Sequence, residues 1–394
     1  MRHKITVSGV GCCLVDILYN DISFSSESIK PYLSQVRGDG GLTPGMLVFR
    51  EEFEKYCGKS FGEVLANITG GRPYNKIDIG GPSIVSLINL AQLAGRENCE
   101  VRFYGRLGND RQGKFLLSAL KKMPVILRNL KTSEKDTPST VVLSDPSWDD
   151  GNGERMFINS IGAAWDFMPG DLDNDFFDSD IVVFGGTALV PNIHDNLTSL
   201  LKKAKARDAV TIVNTVFDFR SEKNNPLKRW PLGKSDESYG YIDLLITDKE
   251  EALRLSGTSA PEEAVDFFIG RKVSSFIITD GARDIALYSD GKLFGKTDVT
   301  RMPVSQRITE DLARLPGGDT TGCGDNFTGG VIASLVDQMT LKDCRPDLKE
   351  ACIWGIVSGG FACFYVGGTY LEKKAGEKLK RLQPYYESYK LQMP

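Results

Sequence analysis

The chain has 394 residues, with 48 Lys and Arg against 52 Asp and Glu, a net charge of −4 and an apolar content of 41%. That length suits a large α/β domain with an appendage and needs no disulfide or metal to fold. Two histidines, His3 and His194, and the lack of a long basic run speak against histidine-built zinc sites, a Ser-His-Asp triad and nucleic acid as a partner.

From the N-terminus, ITVSGVGCCLVDI (residues 5–17) reads as a first strand rather than a signal peptide, because Asp16 interrupts the apolar run and no small-x-small cleavage site follows. SIVSLINLAQLAG reads as a helix, with apolar residues at Ile84, Leu87, Ile88 and Ala91. CEVRFYGRLG is then a strand, QGKFLLSALKKM a helix, DIVVFGG a strand and HDNLTSLLKKAKA a helix. VTIVNTV, DLLITD, SSFIITDG and IALYSDG add strands. Helices follow through GGVIASLVDQM and LKEACIWGIVSGGFACFYVG. Strands that alternate with helices predict parallel pairing through right-handed crossovers, a doubly wound, mostly parallel α/β sheet flanked by helices. Two stretches break the rhythm. Residues 18–78 are polar and mixed, and residues 137–162 alternate, turn and alternate again as a hairpin. They predict a small β-rich lid (18–78 and 137–162) on a core of 1–17, 79–136 and 163–394. No run reaches the roughly 18 apolar residues of a membrane span. Eight cysteines (12, 13, 57, 99, 323, 344, 352, 363) without a CxxC pattern suit a reducing cytoplasm.

The most informative segment is GGDTTGCGDNF, residues 317–327, which empties into an apolar-periodic helix. Small residues let a backbone approach a ligand, and unpaired amides at a helix start make an anion site. Gly322, Cys323 and Gly324 are therefore candidate donors to a phosphoryl group. Asp325 beside them is either an N-cap or a general base that takes a proton from an attacking hydroxyl.

GGDTTGCGDNFTGG resembles the C-terminal signature of the ribokinase-like (PfkB) carbohydrate kinases, and further landmarks follow in the family's order. Asp16 stands where the family binds sugar, and Gly80-Gly81 resembles the di-glycine beneath it. Gly105-x-x-Gly108-x-Asp110 resembles the turn after the next strand. Asp248 and Glu251 match a motif near metal and phosphates, and Thr279-x-Gly281 matches the loop that meets the nucleotide. The resemblance implies ATP and Mg²⁺ as cofactors and a monovalent cation such as K⁺ held by Asp319 and Thr321. It implies an adenine pocket around Gly355 and Ser358, and a homodimer through the lid. Each landmark also has a plainer reading. Asp16 can be a strand-end turn and Gly80-Gly81 a tight turn. Asp248 and Glu251 can be first-turn acids, and Gly355 and Ser358 helix packing. The family's sugar-binding asparagine falls at Val85 here, with Asn89 one turn later as the candidate substitute, and its metal-proximal asparagine is Asp248. The implied function is transfer of the ATP γ-phosphoryl to a hydroxyl of a small sugar or sugar-like alcohol. The alternatives are a nucleoside kinase, with Phe24, Phe49, Phe53 and Trp148 as candidate stacking residues, and a regulator that binds sugar or nucleotide.

Overall fold

The structure is a computed structural model that describes residues 4–151, 153–315, 317–341 and 345–393; His3, Cys344 and Asn152 of the expected turn lie outside it. Among the described residues there are fourteen strands: β1 (Ile5–Gly11), β2 (Leu14–Tyr19), β3 (Leu47–Phe49), β4 (Lys76–Gly80), β5 (Cys99–Gly108), β6 (Ile126–Ser133), β7 (Ser139–Asp145), β8 (Glu154–Ser160), β9 (Ile181–Gly185), β10 (Val210–Asn214), β11 (Leu244–Asp248), β12 (Ser275–Thr279), β13 (Ile285–Ser289) and β14 (Thr297–Met302).

Nine of them form one sheet in the order β14-β13-β12-β11-β10-β9-β1-β5-β6. It is parallel from β6 to β12 and antiparallel through β13 and β14. Its central strands, such as β9 and β12, are apolar on both faces, as a sheet covered twice requires. Along β9, Ile181 and Val183 face one cluster with Leu87, Phe327 and Val331, while Val182 and Phe184 face another with Leu201, Ala252 and Phe268. From β1 the chain winds one way to β5 and β6 and the other way from β9 to β12. The switch point lies between Gly11 and Gly185, which are paired, and the crevice beyond such strand ends is where ligands bind.

A second sheet of five strands, β3-β8-β7-β2-β4, stands over that crevice. The expected hairpin is present as β7 and β8. The expected single first strand is not: residues 5–17 divide into β1 of the large sheet and β2 of the small one. The boundaries read from sequence at 17/18 and 78/79 therefore cut through β2 and β4. The outward face of the small sheet is apolar. Tyr19, Val141, Leu143, Met156 and Ile158 share a cluster with Phe24, Ile29, Phe53, Val64 and Ile68, all from the 20–75 segment. That segment holds the helices Arg50–Cys57 and Phe61–Thr69, each ended by a glycine in the left-handed region, Gly58 and Gly70.

Candidate active site

The glycine-rich motif folds as a turn into the helix Cys323–Met339. Gly322, at φ 73°, is the residue that caps it, and no side chain caps the helix. The N-cap reading of Asp325 is thereby excluded, since Asp325 sits in the first turn and its carboxylate has no hydrogen-bond partner among the described residues. The amides of Gly322 and Gly324 donate to no acceptor among the described residues, and they lie at the positive end of a 17-residue helix. Cys323 differs from the expectation: its amide is engaged by the Thr320 carbonyl at 3.3 Å. Asp319 fixes the turn, with one carboxylate oxygen accepting from the amides of Thr321 (3.0 Å) and Gly367 (3.2 Å). Its other oxygen and the Thr321 hydroxyl are buried with no partner.

The small sheet supplies the facing wall. Cross-strand pairs share a face, and register places Asp78, Asp16, Thr140 and Asn159 in one row across β4, β2, β7 and β8. All four are buried, an unusual load of polar groups for a sheet face. Asp78 is ion-paired with Lys76 at 2.7 Å, and Lys76 also donates to the Val366 carbonyl. Asn159 donates to the Thr140 hydroxyl at 2.8 Å. Asp16 alone has no partner: its carboxylate, 7% exposed, lies over Gly80, where a Cβ would collide with it. Gly81, at φ 108°, then turns the chain into the helix Pro82–Ala94.

Sequence reasoning missed Arg155. Alternation along β8 puts it on the face of Asn159, and its Nε is buried without a partner, with the guanidinium 5.2 Å from the Phe157 ring centroid. It forms no ion pair among the described residues. An arginine two residues past a turn is ordinary in sequence; only the register of three strands reveals what it faces. Burial pushes the Asp16 carboxyl well above the usual range, with Asp78, Asp325 and Asp319 adding repulsion and Arg155 opposing it. Burial likewise raises Asp325 to about 6, again against Arg155. Asp16, Asp325 and Arg155 therefore share one electrostatic environment across the cleft, from two different sheet and helix walls.

The remaining candidates divide into two groups. Asp248 and Thr279 are paired at the ends of β11 and β12, with Gly281 (φ 57°) just beyond, so these three share one rim. Asp248 and Glu251 make a capping box on the helix Lys249–Ser256, the Asp248 carboxylate accepting from the Glu251 amide at 2.8 Å. Glu251 is buried beneath the hydroxyls of Thr215 and Thr247, and burial followed by the charge of Asp248 raises its carboxyl well above the usual range. Asp248 keeps an exposed side chain. The second group faces elsewhere. Asn89 is fully buried and donates to the Asn326 carbonyl at 2.6 Å, a contact between helices, while its side-chain oxygen has no hydrogen-bond partner among the described residues. A Cβ on Gly355 would meet Val331 at 2.7 Å, and the Ser358 hydroxyl lies against Gly330. Both serve close packing of the helices Leu348–Ala362 and Cys323–Met339. Phe24 and Phe53 likewise belong to the core of the 20–75 segment.

Residues 73–369 match the family model described as pfkB family carbohydrate kinase. The chain is 23% identical over 295 residues to 2-dehydro-3-deoxygluconokinase of Bacillus subtilis (73% of this chain, 84% of the relative). It is 26% identical over 314 residues to probable fructokinase-4 of Arabidopsis thaliana (75% and 87%). Among solved structures, adenosine kinase from Sinorhizobium meliloti superposes with a TM-score of 0.68 at 18% identity, covering 97% of this chain and 100% of that one. Ribokinase from Thermotoga maritima gives 0.62 at 17%, covering 96% and 99%. No helix among the described residues is long and apolar enough to cross a membrane. The chain thus belongs to the pfkB family of carbohydrate kinases, and it is an ATP-dependent sugar kinase.

Proposed function

We propose that the chain moves the ATP γ-phosphoryl to a primary hydroxyl of a small sugar or sugar-like alcohol held between the small sheet and the 317–326 turn. The observation that carries this reading is the pair of partnerless carboxylates, Asp16 and Asp325, on opposite walls beside free helix-start amides. Asp16 accepts hydrogen bonds from two acceptor hydroxyls and so orients the sugar. Asp325 accepts the proton of the attacking hydroxyl as its oxygen bonds to the γ-phosphorus and the bond to the bridging oxygen of ADP breaks. The amides of Gly322 and Gly324, with Arg155, stabilise charge on the transferring oxygens. Little covalent work is asked of the protein, because phosphoryl transfer has a loose transition state that responds mainly to positioning and field. The small sheet acts as a lid that excludes water.

Asp248, exposed at the strand end and steadied by Glu251, fits a residue that holds a water of Mg²⁺, which takes few protein ligands. The ion would neutralise nucleotide phosphate oxygens. The partnerless Asp319 oxygen and Thr321 hydroxyl fit a monovalent cation such as K⁺ beneath the turn.

A nucleoside acceptor is the second reading. Phe157 and Phe49 continue the cleft-facing side of the small sheet, and Phe49 meets Phe219 at 5.1 Å, an apolar end suited to stacking a base. A panel of sugars, sugar phosphates and nucleosides with ATP–Mg²⁺ separates the two. With the best acceptor, Asp325→Asn lowers turnover roughly 10²–10⁴-fold while ATP affinity holds. Retained turnover in that variant overturns the assignment of the base.

A further inference from the structure

We propose that Cys323 and Cys363 form a reversible disulfide on exposure to hydrogen peroxide and that this bond switches off phosphoryl transfer. Their sulfurs lie 3.3 Å apart, 40 residues apart in sequence, in the only such thiol contact among the described residues. Cys323 opens the helix Cys323–Met339 and Cys363 ends the helix Leu348–Ala362. Glycines hold these two helices at backbone contact. Substituent atoms on Gly330, Gly355 and Gly359 would meet Ser358, Phe327 and the Cys323 carbonyl at 2.5, 2.9 and 3.0 Å. The thiols are thus kept as neighbours by the packing of the whole helix pair. Both are half-buried, whereas Cys12, Cys13 and Cys352 are sealed at 1%, 2% and 0% exposure.

The two sulfurs share one hydrogen bond in which either thiol can be the donor. Arg155 favours the thiolate at both. Either sulfur can attack first, and the bond changes are the same from either side, as for Cys363. Its thiolate bonds to one peroxide oxygen, the O–O bond breaks, and the released hydroxide takes up a proton as water. The Cys323 sulfur then loses its proton and attacks the Cys363 sulfenic acid. The S–O bond breaks and a second water leaves. Two thiols and one peroxide become one disulfide and two waters, and a dithiol reverses the oxidation.

A disulfide measures about 2.05 Å, so the sulfurs must close by roughly 1.2 Å. The part of that movement not supplied by rotation of the two side chains falls on the first turn of the helix at Cys323, flanked by the amides of Gly322 and Gly324 and two residues from Asp325. A displacement of about 1 Å in a positioned reaction costs about 10²-fold. This consequence rests on the kinase reading; the bridge does not.

The test treats the purified full chain with hydrogen peroxide. The expected result is an intact mass short of two hydrogens, a cross-linked peptide joining Cys323 to Cys363, and turnover down about 10–100-fold. Dithiothreitol restores the original mass and turnover. Cys363→Ala, or Cys363→Ser should the first misfold, keeps its turnover in peroxide. The proposal is overturned if both thiols stay open to alkylation after peroxide, if the bridge forms with turnover unchanged, or if the Cys363 variants lose activity as fast as the parent. Should the reduced chain phosphorylate nothing, the kinase reading fails separately. The peptide map and hydrogen exchange at the 322–325 amides then still decide whether the bridge forms and moves the turn.

Discussion

Asp325 carries a cost that the proposed role as base would explain. Its carboxyl titrates near 6 in the folded chain and near 3.8 when unfolded, so the native state holds the extra proton. The stabilisation is complete below pH 3.8 and is lost as pH rises through 6, because ionisation then occurs without a protein partner. Asp325→Asn removes that ionisation and should raise stability at pH 7.5 by roughly 1–3 kcal/mol, with little change at pH 4. Paired thermal melts at the two pH values check it, and a variant that melts lower at pH 7.5 contradicts the burial argument. The same group sets the rate profile. If Asp325 is the base, as proposed, it must be ionised, so kcat/KM should fall below about pH 6. Gly80 is the complementary case, for its lack of a side chain makes room for the Asp16 carboxylate. Gly80→Ala should displace Asp16 and raise the acceptor KM at least tenfold with ATP KM unchanged, read from initial rates in each substrate.

At the scale of elements, the turn is held in place by a helix that periodicity left unmarked. Lys378, buried on the helix Glu377–Gln392, donates to the Asn326 side chain at 2.7 Å, and burial lowers its pKa to about 7. Asn326 in turn donates to the carbonyls of Gly322 and Gly368, both at 2.8 Å, tying the 317–326 turn to the 366–368 segment. Asn326→Leu should cost roughly 2–4 kcal/mol, since it breaks both ties and strands a buried ammonium. Adding Lys378→Met should return part of that stability without returning turnover, measured by denaturant melts and initial rates. Equal recovery of both would mean that the ties do not position the turn. The core strands were legible because a doubly covered sheet writes continuous apolar runs such as DIVVFGG, and the 317–327 turn because its glycines precede an apolar helix. The split of residues 5–17 was not, because Cys12 and Cys13 carry the apolar run from one sheet to the next without a polar break. Strand β6 (ILRNLKTS) is half-buried and mixed, so its alternation is weak. Gly355 and Ser358 keep two readings for a physical reason: close helix packing and close ligand approach call for the same small residues.

At the scale of the molecule, the 20–75 segment changes what the small sheet can do. A sheet with one polar, cleft-facing side and one apolar side must cover the second, and a copy of the chain is one way to do it. Here the chain covers it with its own residues, Phe24, Ile29, Phe53, Val64 and Ile68. The segment also reaches across to the core. Arg37 is paired with Glu222 and, at 2.6 Å, with Glu250, while Lys223 is paired with Glu52. Glu222 is nearly fully buried and is shared with Arg254 at 2.7 Å, so this junction is a charged network with one desolvated member. The homodimer implied by family resemblance therefore has no bare sheet face to use, and the chain should sediment as a monomer at micromolar concentration. Replacing Phe53 and Val64 with Asp should uncover the sheet and produce dimers or aggregates, because an exposed apolar face of that extent seeks a partner. A dimer of the parent chain that survives dilution, with Phe53 and Val64 still protected from hydrogen exchange as in the monomer, would place the interface on some other surface. Arg37→Ala tests the second role of the segment. It leaves Glu222 buried with Arg254 as its remaining cation and should loosen the hold of the small sheet over the cleft. Uncoupled ATP hydrolysis should then rise several-fold relative to transfer, because a closed site is what keeps water from the γ-phosphoryl group.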